Sequence, residues 1–445
     1  MTIEQEIREM DNPYRYNVNK KGTVYTFDFP IQQVRAEVDE LRIDSKVLKA
    51  EIKFASYREV SLGFLGYTDL NLKASGSRKS FANDLKERDE TVADWNQIVT
   101  AVSMHLIEDY KTGEEAVHLD GEVNQENKMH WLVEPLLARD TINTIYAPGA
   151  SGKSWLAIYL ATLIQHGVME SDALHAQEQK NVMILDWETN EKEFAGRYAQ
   201  VRKGLKLPYS PLEENIVYKP MRASFSASIT QISRVAMEKN IGLIIIDSIG
   251  AASGGASEES QVTLELFNRM KVLDTSILAI DHTNKANVPG KNLFGSEYKY
   301  NETRVLWEIK PTQSLTYLDI VLHSRKSNNS QNLGSMALRV DFSPEAVFLS
   351  RKNISDTSGG SSQLSVPAGI TDKLRERPHT VSELATTLVV SEGQVRNAIT
   401  DHNQDVEKGK KTGPKIINDL TTHMYKFDVP VEQHTMEEYE AHDDA

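Results

Sequence analysis

Thr144-Ile145-Tyr146-Ala147-Pro148-Gly149-Ala150-Ser151-Gly152-Lys153-Ser154 reads as the end of a buried strand, a glycine-containing loop and the start of a helix. The pattern [A/G]-x-x-x-x-G-K-[S/T] is that of a phosphate-binding loop. Gly149 and Gly152 let the backbone turn so that successive N–H groups converge on phosphate oxygens. Lys153 supplies a point charge for the β- and γ-phosphates, and the Ser154 hydroxyl supplies one ligand to Mg2+. The following segment, SWLAIYLATLIQ with Gly167 just past its end, is a helix whose positive dipole end faces the same phosphates. Ala147 stands where a glycine is usual, which the pattern allows. Ala147, Pro148, Gly149, Ala150, Ser151, Gly152, Lys153, Ser154 and Trp155 are therefore the candidate nucleotide-binding residues, with ATP and Mg2+ as the expected ligands. A chance match in a glycine loop is the alternative, and the strand before and helix after argue against it.

Outward from this loop, strand and helix patterns alternate, the sign of an α/β parallel sheet. Val182-Met183-Ile184-Leu185 ends in Asp186-Trp187-Glu188-Thr189, and Leu243-Ile244-Ile245-Ile246 ends in Asp247-Ser248. The second is a Walker B pattern, whose Asp247 would hold Mg2+ beside Ser154. A third run, Ser276 to Ile280, ends in Asp281-His282-Thr283. Each acid alone could merely cap a strand or helix. Together, these polar ends belong at the carboxyl edge of one sheet, where open α/β folds bind ligands.

On WLVEPLLARDTINTIYAPGASGKS, VMILDWET, LIIIDS, AIDHTNK and LHSRKSNN, residues 131–351 resemble the RecA-like family of ATPases, in the branch similar to the RepA-type hexameric replicative helicases of plasmids. The resemblance implies an α/β fold. It would be a RecA-like P-loop core with a mainly parallel sheet; read separately, an α+β N-terminal domain and a small winged-helix C-terminal domain flank it. The resemblance further implies that the base orienting the attacking water is Glu188, with Asp186 as its rival. His282 would feel the γ-phosphate, or simply be a strand-end histidine bonded to backbone. Arg325 and Lys326 would enter the neighbouring subunit's active site as a finger, or form a basic surface turn. Arg197 is a further candidate to approach the nucleotide. Ser248 to Ser260 and Thr283 to Ser296 would be mobile loops facing a central channel. The second carries Lys285 and Lys291 for phosphate contacts, while neither offers a convincing aromatic platform.

Residues 1–128 read as a separate accessory domain. Gly22 to Phe29 alternates as a half-buried strand should, and Val47 to Phe54 is a second strand. Ser77 to Glu87 and Val92 to Tyr110 have helical spacing. No catalytic cluster appears there, and His105 reads as a core or surface histidine. The ATPase domain takes residues 129–351, and the Ser/Gly-rich stretch 352–367 is a flexible linker. Residues 368–430 resemble a winged helix, from three short helical patterns (Ile370 to Arg377, Thr380 to Leu388, Ser391 to His402) and a basic hairpin. Thr380-Val381-Ser382-Glu383 is a capping box. Gln394, Arg396 and Asn397 on the third helix, with Lys410 and Lys411 on the hairpin, are candidate nucleic-acid contacts. Winged helices also dock proteins, so both partners stay open. Residues 431–445 form an acidic tail.

The chain of 445 residues has a net charge of −14, so nucleic acid must be met by local patches rather than by the whole surface. It has no cysteine, which excludes disulfides and thiolate metal sites. No apolar signal region opens the sequence and no window approaches a membrane span, so the expectation is a cytoplasmic protein without membrane partners. The combined expectation is an ATP-hydrolysing RecA-like nucleic-acid motor. It would be a homo-oligomeric (hexameric) DNA helicase or translocase in replication or repair, acting on single- or double-stranded DNA. The alternatives are an ATP-dependent regulatory or loading switch, or a DNA-binding adaptor without helicase activity.

Overall fold

The computed structural model describes residues 14–58, 63–92, 94–113, 116, 118, 130–255, 259–283, 297–328, 333–354, 357, 366–388, 390–408, 414–419 and 421–428. Lys285, Lys291, Lys410, Lys411 and the acidic tail lie outside them. Described residues through Glu308, with 324–328 and 333, form one compact unit; 309–323 and those from 334 onward form a second.

The first unit opens with an antiparallel meander of β1 (Asn17–Lys21), β2 (Val24–Phe29), β3 (Val34–Asp44), β4 (Val47–Ser56) and β5 (Phe64–Asn71). Alternation drives it: every second residue of β4 is buried, so one face carries Leu48, Ala50, Ile52 and Phe54. Helices Ser75–Arg88 and Trp95–Thr112 cover that face. Phe54 stands edge-on to Trp95 at 5.5 Å between ring centroids and tilted to Phe81 at 5.9 Å. Asp94 caps the second helix by accepting from the Gln97 N–H at 3.1 Å. His105 packs against this core, edge-on to Phe27 and bonded to the Tyr16 hydroxyl.

The same unit continues through the small hairpin β6 (Trp131–Val133) and β7 (Leu137–Ala138) into a parallel sheet. Its strands are β8 (Ile142–Ala147), β9 (Asn181–Asp186), β10 (Val217–Pro220), β11 (Ile241–Asp247), β12 (Ser276–His282) and the start of β13 (Val305–Gln313). Their spatial order is β10-β9-β11-β12-β8-β13, all neighbours parallel. The continuous apolar runs seen in the sequence follow from this, because a central parallel strand is covered on both faces. Register then decides where the polar ends fall. Asp247 lies opposite Asp186, and His282 opposite Ala147, so the ends of four strands meet at one edge.

The meander rests on helix Phe225–Glu238. Gly22 has φ of +60°, and a Cβ there would fall 2.1 Å from Ser233 Oγ. Asp39 pairs with Arg234, and the Thr23 N–H donates to Ser233 Oγ at 3.3 Å. Gly22→Ala is expected to destabilise the protein by about 1–3 kcal/mol, through the left-handed backbone and the clash together. Thermal unfolding followed by circular dichroism measures it, and an unchanged midpoint removes Gly22 from this contact.

The second unit holds an antiparallel sheet of β14 (Tyr317–Ser327, through His323), β15 (Ser335–Phe342) and β16 (Val347–Lys352). Helices Val366–Glu376, Val381–Leu388 and Glu392–Glu407 follow, with the hairpin β17 (Ile416–Asp419) and β18 (Met424–Phe427). Ile370, Leu384, Val395 and Ile399 join their core. The Thr380 box is formed: the Thr380 N–H donates to Glu383 Oε2 at 2.8 Å, and the Glu383 N–H to Thr380 Oγ1 at 3.2 Å.

Two local readings are corrected. The stretch after β11 is not a free loop throughout, because Ile249–Ala252 makes a helical turn whose Ile249 and Ala252 are fully buried. The sequence reads a strand from Leu315 to Leu322 with Arg325 and Lys326 after it, and β14 instead includes both. Full burial ends at His323 while the strand runs on to Ser327, so the change to basic residues marks a change of burial, not a strand end.

Candidate active site

β8 is buried at every residue and delivers Ala147 to the sheet edge. The chain then turns through Pro148 and Gly149 and passes into left-handed geometry at Ala150 (φ +57°) and Gly152 (φ +84°). Helix Lys153–His166 starts there and closes on Gly167, also left-handed. Ser151 Oγ donates to the Pro148 carbonyl at 2.6 Å, bracing the loop from inside. Lys153 Nζ lies folded over the loop, donating to the carbonyls of Ala147 (3.0 Å) and Pro148 (2.7 Å). Desolvation lowers its pKa, with Asp247, Glu188 and Asp281 pulling the other way. Trp155 sits one residue past Ser154, with the Arg197 guanidinium 5.6 Å from its ring centroid.

Ser154 Oγ donates to Asp247 Oδ2 at 2.9 Å. This hydroxyl–carboxylate pair fits a Mg2+ site completed by phosphate oxygens and water. Among the described residues no group of three His, Asp or Glu side chains could hold a metal alone. Desolvation, then Glu188, pushes the Asp247 carboxyl up to about 6, a shift that Ser154 opposes. The folded protein therefore binds a proton at Asp247 more tightly than the unfolded chain does, and this group's contribution to stability falls as pH rises from about 4 to about 6. Asp247→Asn is expected to stabilise the ligand-free protein at pH 7.5 by about 1–3 kcal/mol and to lose that gain below pH 4. Chemical denaturation at the two pH values checks it; equal effects at both would show that Asp247 carries no such shift.

Glu188 and Asp186, rivals for one role, have different surroundings. Asp186 Oδ1 accepts the N–H groups of Glu188 (2.8 Å) and Thr189 (2.9 Å). Its Oδ2 accepts the Thr189 hydroxyl and the Tyr218 hydroxyl, the latter at 3.0 Å. Asp186 is thus occupied on both oxygens in holding the turn after β9. Glu188 Oε1 instead accepts from Ser248 Oγ at 2.5 Å and lies 3.2 Å from His282 Nε2. His282 Nδ1 is 3.5 Å from Lys153 Nζ, so an imidazole carrying its hydrogen on Nε2 satisfies both neighbours. Lys153, Ser154, Glu188, Asp247, Ser248 and His282 therefore form one connected constellation.

Arg325 is held within its own chain by Glu308, Nε to Oε2 at 2.7 Å. Lys326 Nζ donates to the carbonyls of Tyr300 (2.6 Å) and Asn301 (2.9 Å). Arg396, in the second unit, is exposed and paired with Glu392 at 2.8 Å. Gln394 and Asn397 are exposed on the same helix, opposite buried Val395, Ala398 and Ile399.

Lys299 and Glu308 escaped the sequence reading, and Ser248 and Asp281 entered it only as polar strand ends without a role. Asp281 Oδ2 and Lys299 Nζ form an ion pair at 2.9 Å with both side chains 1% exposed. Burial raises the Asp281 pKa against the pull of Lys299. Glu308 carried a signal, a lone acid inside the apolar run VLWEI; Lys299 carried none.

A family profile described as AAA domain matches residues 110–288. No curated protein matches the chain. Two solved structures are similar to parts of it. The flagellar accessory protein FlaH from Methanocaldococcus jannaschii is 16% identical, covers 48% of this chain and 90% of its own, and has a TM-score of 0.34. A KaiC-like protein from the hyperthermophilic archaeon Pyrococcus horikoshii is 15% identical, covers 49% of this chain and 93% of its own, with a TM-score of 0.35. With the AAA-domain match, the phosphate loop and the acid opposite it make this an ATPase domain.

Proposed function

We propose that this chain is an ATP-driven nucleic-acid motor of RecA-like type, acting as a homo-oligomeric DNA helicase or translocase. The observation that supports it most is Ser154 and Asp247 in contact at 2.9 Å, with Glu188 held beside them by Ser248 and His282. Lys153 leaves its loop carbonyls for the β- and γ-phosphates. Ser154 and Asp247 would hold Mg2+, which would supply positive charge against the phosphates. Glu188 takes a proton from water as its oxygen bonds to the γ-phosphorus, and the bond to the ADP oxygen breaks. Ser248 and His282 keep the Glu188 carboxylate turned toward that water. Arg325, with Lys326, neutralises phosphate charge on the neighbouring subunit's nucleotide. Helix Glu392–Glu407 is the recognition helix of a winged helix, with Gln394, Arg396 and Asn397 meeting nucleic acid together with Lys410 and Lys411.

The test is ATP turnover with and without single-stranded DNA, beside binding measured across a salt series. Single-stranded DNA is expected to raise turnover, and affinity is expected to fall steeply with salt through counterion release. Arg396→Ala with Lys410→Ala and Lys411→Ala should flatten the salt slope by about 2–3 in log–log units while basal turnover holds. Turnover indifferent to DNA, with no DNA binding, would make the protein a switch rather than a motor.

A further inference from the structure

Glu188 and His282 are joined to Arg325 and Lys326 by an unbroken series of described contacts. The His282 N–H donates to Asp281 Oδ1 at 2.9 Å, and Asp281 Oδ2 accepts from Lys299 Nζ. Lys299 belongs to the short helix Glu297–Glu302. At the end of that helix the Tyr300 and Asn301 carbonyls accept from Lys326 Nζ, as last-turn carbonyls do from a lysine. The Tyr300 hydroxyl donates to the Arg325 carbonyl at 3.3 Å, and the Lys326 ammonium lies 5.0 Å from the Tyr300 ring centroid. Arg325 in turn grips Glu308, which lies in register with Tyr146, the residue before Ala147.

A helix of six residues is too short to hold its position by its own hydrogen bonds, so its tethers set where it lies. Three tethers are charged. Lys271 to Glu302 is exposed. Lys326 binds the helix carbonyls. Lys299 to Asp281 is closed off from water, where separating opposite charges is costly, so the two move as one body. Beyond them, Thr303 Oγ1 bonds Thr144 Oγ1 on β8 at 2.8 Å, which gives the helix a fixed end to pivot on.

We propose that the Asp281–Lys299 pair is the link by which nucleotide occupancy at Glu188 and His282 sets the position of Arg325 and Lys326, with Lys299 as a positioning residue. The inference rests on the reading of Lys153 and Ser154 as a nucleotide site. Movement of His282 toward a γ-phosphate shifts Asp281, Lys299 follows, and the helix carries Lys326 and its neighbour with it. A finger aimed into the next subunit would in this way be presented according to the nucleotide held by its own subunit.

The experiment is hydrogen–deuterium exchange of the full chain with and without a non-hydrolysable ATP analogue and Mg2+, read on peptides covering 147–154, 297–304 and 321–328. In the wild type all three are expected to change on binding. Asp281→Asn with Lys299→Met removes both charges at similar side-chain volume, leaving no lone buried ion. That variant should keep the change at 147–154 and lose it at 297–304 and 321–328. Lys326→Met tests the other end without touching the buried pair. It should keep the changes at 147–154 and 297–304 and lose only the one at 321–328. Should the double variant fail to fold, Lys326→Met decides alone. A wild type that changes at 147–154 but not at 321–328 overturns the link, as does persistence of the 321–328 change in either folded variant. A wild type with no change at 147–154 overturns the nucleotide site itself, and the link with it.

Discussion

Glu188→Gln protein is expected to bind ATP as the wild type does and to hydrolyse it about 10²–10⁴-fold more slowly. The amide keeps the size of the carboxylate and can still accept from Ser248 and face His282, so the loop and the Ser154–Asp247 pair stay as they are. It cannot take a proton from water. Affinity measured by titration calorimetry and turnover measured by phosphate release should therefore separate. Asp186→Asn makes the contrast. Each Asp186 oxygen accepts two hydrogen bonds from the turn it holds, and an amide nitrogen can accept none, so this change should lower the unfolding midpoint and impair binding and turnover together. If Glu188→Gln turns over normally while Asp186→Asn folds well and is dead, the base is Asp186.

Arg325→Ala is expected to lower turnover by about 10³–10⁵-fold with nucleotide binding retained. In the chain itself the guanidinium is bound by Glu308, and a hydrogen-bonded ion pair of this kind must open before Arg325 reaches any phosphate. Mixing Arg325→Ala with Lys153→Ala protein distinguishes a finger acting between subunits from one acting at home. Each parent is inactive for a different reason, and interfaces that pair an intact loop with an intact finger should restore part of the activity. Wild-type turnover per subunit should also rise with protein concentration as subunits assemble. A mixture as inactive as its parents, with turnover independent of concentration, would place Arg325 in its own chain's site or in none.

The elements that sequence exposed are those whose chemistry is local. A phosphate loop needs glycine and lysine within a few positions, so Gly149 to Ser154 could be read directly, and the buried strands beside it announced themselves by four apolar residues ending in an acid. What pairing decides was hidden. Nothing in the order of the segments tells that β12 lies between β11 and β8, yet that placement brings His282 to Lys153. β3 escaped notice because its solvent face is dense with charge, VRAEVDELRID, which blurs the alternation that made β4 plain. Asp281 ends β12 and Lys299 lies 18 residues on in a different helix, so no local spacing joins them and their meeting is a property of the fold alone. The choice between Glu188 and Asp186 also required atoms, since both are acids at one strand end and only their hydrogen-bond partners differ.

The discomfort of Asp247 has a consequence for the protein's survival as well as for its chemistry. An acid lifted to about 6 by desolvation and by Glu188 makes this a weak place at neutral pH, and a ligand that neutralised it would favour the folded chain. By mass action such a ligand stabilises the fold by about 2.7 kcal/mol at a hundred times its dissociation constant. That is a large share of the margin on which an ordinary domain lives. A bound nucleotide would then protect the folded chain against proteolysis as well as serve its chemistry.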